Sequence, residues 1–160
     1  MALDTTIGGA TADSYGTLAE YQAYASAMGW TLAADDAADE VNLRRATVTL
    51  DASYRWIGQR QYKAQVLDWP RIWTPLVNGF AVDPDGIPKA IKDAQFEMAY
   101  LIQAGVDPFA TYDGAIKREK LDVMEREYTG GKGRPAFTGV DRLLQGYKIG
   151  GAGQSQMVRG

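Results

Sequence analysis

Neither cysteine nor histidine occurs among the 160 residues. Without thiols there is no disulfide, no thiolate nucleophile and no Cys/His zinc site, and without imidazole there is no His-based triad. Only carboxylates, lysine and tyrosine are left for acid–base work. A basic excess is missing too: 17 Lys and Arg stand against 20 Asp and Glu, for a net charge of −3. A protein built to grip a phosphate backbone usually carries an excess of positive charge. No apolar run approaches the roughly 20 residues that cross a bilayer, so no membrane partner is expected. The first residues, Met1-Ala-Leu-Asp-Thr-Thr, have no basic region and no apolar core. They do not read as a signal peptide, and synthesis in the cytoplasm is expected. No internal repeat and no dividing linker is found.

What is present has an ordinary globular balance, 46% hydrophobic and 23% charged. A chain of this length is expected to form one domain and to bury roughly 70% of its unfolded surface. Its centre is the stretch from Gly58 to Arg71, which carries Arg60, Gln65, Trp69, Pro70 and Arg71. Trp56 precedes it and Trp73 follows, so three of the four tryptophans fall in one connection. Rings of this size belong in a core or at an interface. Pro70 pushes Trp69 toward extended backbone. Two accounts compete. In one, Trp56, Trp69 and Trp73 fill the space between two helices while the arginines pair with carboxylates. In the other, the rings stack on bases while Arg55, Arg60 and Arg71 hold phosphates. The acidic balance favours the first.

The flanking segments are mainly helical. Residues 1–16 read as an arm with Ser14 and Tyr15 as anchors. Thr17 and Glu20 form a capping box, followed by an apolar stripe of Leu18, Tyr21, Ala25 and Met28. Gly29 suits the left-handed position after the helix, and Trp30 can fold back on the last turn. A second helix starts at Asp35 or Asp36. Its stripe is Leu43, Ala46, Leu50 and Tyr54, extended by Ile57 and widened by Val41 and Val48. Its Arg44 and Arg45 are either a phosphate or acidic-partner contact or a solvated or ion-paired helix face, and the second is favoured. Asn78-Gly79 and Asp85-Gly86 are turn signals that can support a small hairpin. The third helix has Pro88 in its first turn and a stripe of Ile91, Ala94, Gln95, Met98, Leu101 and Ile102, with Tyr100 in the core. Gly105 and Pro108 end it. Residues 116–128 fit either period. A short helix is expected over Val140–Tyr147, stopped by Gly146. Residues 150–160 are glycine-rich and include Met157, Val158 and Arg159. They read either as a flexible end or as a plug that orders on a partner.

No constellation suits catalysis. Asp35, Asp36, Asp39 and Glu40 are explained by helix capping. Asp83, Asp85 and Asp93 lack the EF-hand pattern. Thr129-Gly-Gly131-Lys-Gly133 lacks the spacing of a phosphate loop. A non-enzyme with no catalytic residue, cofactor or metal is expected.

The run Tyr54, Trp56, Gly58, Arg60, Gln65, Leu67, Trp69, Pro70 and Arg71 resembles the signature of head–tail connector (adaptor) proteins of tailed bacteriophages. Many relatives carry the label DnaT-like single-stranded-DNA-binding protein. Ser14-Tyr15 before the Thr17 helix, Ile87-Pro88 with Ile91 and Ala94, Ile116-Lys117…Glu119-Lys120 and Val140-Asp141…Leu143-Leu144 are similar as well, so the likeness spans nearly the whole chain. Asp122 stands where the family's usual glycine is expected.

The resemblance implies a small bundle of three main helices and a short C-terminal helix, over residues 1–149. It also implies a minor extended segment within 116–128 and long terminal arms (1–16 and the flexible tail 150–160). It implies a virion protein, a ring of about twelve copies beneath the portal that extends the DNA channel toward the tail. Its partners would be copies of itself, the portal, a further head-completion or tail protein, and double-stranded DNA sliding through without specific binding. Met157, Val158 and Arg159 match the portal-docking region. The mixed-charge run containing Lys117, Arg118, Glu119, Lys120, Glu125 and Arg126 can supply one side of a contact between copies. The alternative is a replication-type protein that binds single-stranded DNA.

Overall fold

Two long helices form the centre of the molecule, and each starts where local chemistry dictates. The computed structural model describes residues 2–110, 118–121, 124–127 and 136–150. Helix α1 (Leu18–Met28) opens on the reciprocal Thr17–Glu20 capping box and closes at Gly29, whose φ is 70°. The Trp30 amide reaches back to the Ala25 carbonyl at 2.9 Å, the expected glycine stop. Helix α2 (Asp36–Ser53) is capped by the Asp35 carboxylate. Helix α3 (Lys89–Gln103) starts directly after Pro88. It ends as Gly105 turns left-handed and the Val106 amide meets the Leu101 carbonyl. Helix α4 (Thr138–Leu143) packs on α3.

Helices α2 and α3 make the main helix–helix contact, and α1 lies against both. Leu43, Ala46 and Leu50 from α2 meet Ile91, Ala94, Met98 and Ile102 from α3, joined by Tyr21, Phe96 and Leu144 in one buried cluster. Two short antiparallel pairs complete the secondary structure. One is β1 (Gln59–Arg60) with β2 (Arg71–Ile72). The other is β3 (Arg118–Leu121) with β4 (Met124–Glu127). The mainly helical expectation therefore holds.

Several details differ from the expectation. The segment before α1 is irregular, as an arm would be, yet it lies on the body. Ala12, Ser14 and Tyr15 are buried and Leu3 packs on the core. Val41 and Val48 do not widen the α2 stripe but face outward, and so does Met28 at the end of α1. Thr47 and Thr49 are buried instead, each hydroxyl donating to the carbonyl four residues back. Trp30 does more than cover its own helix end: its ring stacks on half-buried Tyr100 with centroids 4.2 Å apart. The extended reading of 116–128 resolves into two strands, pairing Arg118 with Glu127 and Leu121 with Met124. Ile116, Lys117, Asp122 and Tyr128 lie outside the described residues. The last helix sits earlier than Val140–Tyr147 and stops before Gly146. Only a minimal hairpin forms near the turn signals, a Val77–Phe80 bridge across Asn78 and Gly79, both at positive φ.

Candidate functional site

The connection between α2 and α3 folds into a buckle built on Arg71. Its Nε donates to the Ile57 carbonyl at 2.6 Å, Nη2 to the Gly58 carbonyl at 2.8 Å and Nη1 to the Asp68 carbonyl at 3.0 Å. The guanidinium thus closes the two ends of the connection on each other. Burial lowers its pKa and the nearby Asp68 carboxylate opposes that shift. Gln65 works beside it. Its Nε2 donates to the Leu67 and Pro70 carbonyls, and its Oε1 accepts from the Tyr62 amide. Arg60 binds the Asp68 carboxylate through Nε at 2.8 Å and Nη2 at 2.7 Å. Gly58 has a φ of 68°, and a Cβ there would lie 2.4 Å from the Ile72 carbonyl oxygen, so only glycine fits.

An aromatic column runs behind the buckle. Trp69 precedes Pro70 across a cis peptide bond. Its ring meets Trp56 edge-on at 5.9 Å and Tyr147 at 5.8 Å, and Tyr54 packs on Trp56. Trp56 and Trp69 are 4% and 1% exposed. The chain beyond α4 seals the column. The Ile57 amide donates to the Tyr147 carbonyl and the Ile149 amide to the Arg55 carbonyl. Trp56, Gly58, Arg60, Gln65, Trp69, Pro70 and Arg71 are therefore brought together, as the core account anticipates. Two points of that account need correction. Arg71 pairs mainly with carbonyls, because its side chain sits inside the closed loop where backbone oxygens lack other donors. Trp73 does not fill the core. The chain leaves β2 with Trp73 at φ 53°, and its ring is 77% exposed.

Two polar hubs tie the segment before α1 to this frame. Neither was anticipated. Gln95 is fully buried on α3. Its Oε1 accepts from the Gly16 amide at 2.9 Å, and its Nε2 lies 2.7 Å from Ser14 Oγ, 2.8 Å from Thr47 Oγ1 and 3.1 Å from the Leu43 carbonyl. The only sequence signal was an amide inside an apolar stripe. Asp51 on α2 is the second hub. It accepts from the Tyr15 hydroxyl and, at 3.0 Å, from the Asp68 amide.

Burial pushes the Asp51 carboxyl up to about 6; the Tyr15 hydrogen bond opposes this and the Asp68 charge adds to it. A carboxyl raised in the folded state destabilises that state when ionised. Stability therefore rises as pH falls through about 6 and levels off below the unfolded value of 3.8. From pH 7.5 to 4.5 this group contributes a gain on the order of 2–3 kcal/mol. Asp51→Asn mimics the protonated side chain. Urea unfolding is expected to show that gain in the parent and a curve flatter by the same amount in Asp51→Asn. Equal pH slopes for the two chains would contradict the assignment.

The outward face of the connection is apolar. Trp73, Leu76 and Phe80 are exposed, Phe80 by 76%. A groove of about 410 Å³ runs beneath Phe80, lined by Val77, Val82, Asp83, Ile87 and Tyr147 among others. A shallower recess beside Trp73 shares Ala81 and Val82 with it. The groove's lining carries one cation, Lys89, which pairs with Asp93 at 2.5 Å. Asp83 lines the groove, and Asp85 accepts from Gln61 and Tyr62. Arg44 is paired with Asp13 at 2.6 Å, which agrees with the ion-paired reading of that helix face.

Strands β3 and β4 set Glu119 opposite Arg126 and Lys120 opposite Glu125. Lys117, Met157, Val158 and Arg159 lie outside the described residues. Among the described residues no three metal-ligating side chains cluster, and no helix is long and apolar enough to cross a membrane.

Fold and site thus define a mainly helical protein whose Trp–Pro–Arg block is an internal fastening. The chain belongs to the family described as "Putative DnaT-like ssDNA binding protein", whose sequence model matches residues 1–160. No curated protein and no solved structure matched it.

Proposed function

We propose that the protein is a structural, non-enzymatic component of a tailed-bacteriophage virion: a head–tail connector whose copies form a ring under the portal. The observation that carries this reading is the placement of Trp69 and Arg71. The block that carries the likeness to connectors faces inward and sets a fold, so it offers neither a stacking platform nor a phosphate clamp. Arg71, which lines the recess beside Trp73, turns its guanidinium onto backbone carbonyls, and Lys89 in the groove pairs with Asp93, so the outward apolar residues suit a protein contact. A net charge of −3 also suits a channel along which duplex DNA slides, because a basic lumen would hold phosphates. Met157, Val158 and Arg159 would meet the portal. The charged run from Lys117 to Arg126 would meet a neighbouring copy, patch to different patch, as a ring requires.

The second reading is binding of single-stranded DNA. The family description favours it, as do the exposed rings of Trp73 and Phe80, which can stack on bases. One comparison separates the two. The full chain is mixed with the cognate portal and viewed by electron microscopy, then titrated with oligonucleotides at two salt concentrations. Rings seated on the portal are expected, with oligonucleotide affinity weaker than about 100 µM at physiological salt. No portal complex, together with salt-dependent oligonucleotide binding that falls at least about tenfold in W73A/F80A, would reverse the assignment.

A further inference from the structure

The groove beneath Phe80 has no occupant from the described part of the chain. It is lined by Val77, Phe80, Val82 and Ile87, together with the charged residues Asp83 and Lys89. No cation pairs with Asp83 among the described residues; its Oδ1 accepts only from the Asp85 amide. The backbone at the groove is also unfinished. The amides of Ala81 and Val82 meet no acceptor among the described residues. A solvated loop tolerates both features, but an added segment would satisfy both.

The chain itself brings a matching segment to this place. Tyr147 lines the groove. Lys148 bridges to Trp56 and Ile149 is bonded to Arg55, so the backbone is held firmly up to that point. Gly150 then turns with a φ of 75°. Gly151 and Gly153 follow in sequence, so reversal of direction there meets little steric resistance. Met157 lies seven positions beyond Gly150 in the sequence. At about 3.3 Å each they span up to roughly 23 Å, ample for a return to a groove that begins at Tyr147. Met157-Val158 is an apolar pair and Arg159 a cation beside it, the complement of apolar lining residues with one carboxylate that lacks a cation, since the other charged lining residue, Lys89, is paired with Asp93.

We infer that the groove beneath Phe80 is a docking site for the chain's own residues 151–160, with Met157 and Val158 on the apolar lining residues and Arg159 facing Asp83. This does not depend on the connector reading. If that reading is right as well, docking holds the portal-binding residues back until the portal competes for them.

Residue-resolved hydrogen exchange on the full chain tests the inference. In the parent the Ala81 and Val82 amides are expected to exchange slowly. In M157D/V158D they should speed up by about tenfold, the factor for a site covered nine-tenths of the time. The α2 and α3 amides should be unchanged, which shows that the variant is folded. Asp83→Asn should give a smaller acceleration at the same two amides. Protection should not depend on protein concentration between about 10 µM and 1 mM. Fast exchange at Ala81 and Val82 in both parent and M157D/V158D would overturn the inference. Protection that grows with concentration would also overturn it, since the occupant would then be a second copy.

Discussion

Arg71→Ala is expected to cost about 3–5 kcal/mol of folding free energy, the largest loss from any single truncation in the buckle. Three carbonyls, those of Ile57, Gly58 and Asp68, lose a charged donor together. Each such bond is worth roughly 1.5–3 kcal/mol, and water recovers only part because the Arg71 side chain is just 11% exposed. Arg71→Lys keeps the charge but not the planar fork. It can serve one or two of the three carbonyls, so a loss of about 2 kcal/mol is expected. Urea unfolding with an unchanged slope is the measurement. Oligonucleotide affinity that vanished in folded Arg71→Lys would instead indicate a guanidinium used on phosphate. A loss below about 0.5 kcal/mol in Arg71→Ala would show that the buckle is held by the aromatic column alone.

Gln95→Leu is expected to cost about 2–4 kcal/mol although it raises the apolar content of the core. The Gly16 amide loses its acceptor, and the hydroxyls of Ser14 and Thr47 lose a donor, all at buried positions. The effect should be local as well as global. Residues 13–16 should lose hydrogen-exchange protection before α2 and α3 do, because Gln95 bridges the first segment to both helices. Gln95→Glu separates the donor from the shape. Its carboxylate keeps the bond to the Gly16 amide but faces the Leu43 carbonyl without a proton. The loss should therefore be larger at pH 7 than at pH 5, where the carboxyl can protonate and donate again. Unchanged protection at residues 13–16 in Gln95→Leu would mean that Tyr15 and Asp51 hold the segment without help.

The parts legible in the sequence were those whose chemistry is local. The Thr17–Glu20 capping box, the Asp35 cap and the glycine stops at Gly29 and Gly105 each act within one turn of the chain, so neighbouring residues suffice to read them. The stripe of α3 was legible for the same reason. The exposure of Val48 was not. A helix of this composition can bury either of two adjoining faces. The choice falls to Thr47 because its hydroxyl is satisfied by the Leu43 carbonyl and lies within reach of the Gln95 amide. Trp73 was misread because its direction depends on β2 pairing with β1, a contact between residues a dozen positions apart. Docking of the first sixteen residues depends on Gln95 and Asp51, about 80 and 36 positions away from their partners Gly16 and Tyr15.

The sequence by itself determined the chemical class of this protein: no thiol or imidazole chemistry, an acidic balance, helices with defined ends, and a tryptophan-rich connection between two of them. Tertiary structure decided what that connection does. It turned Arg71 and Trp69 inward and Trp73 and Phe80 outward. The physical reason is that backbone carbonyls freed by an irregular loop must find donors wherever the fold places them. In this fold the nearest donor is a guanidinium that a linear reading assigns equally well to phosphate.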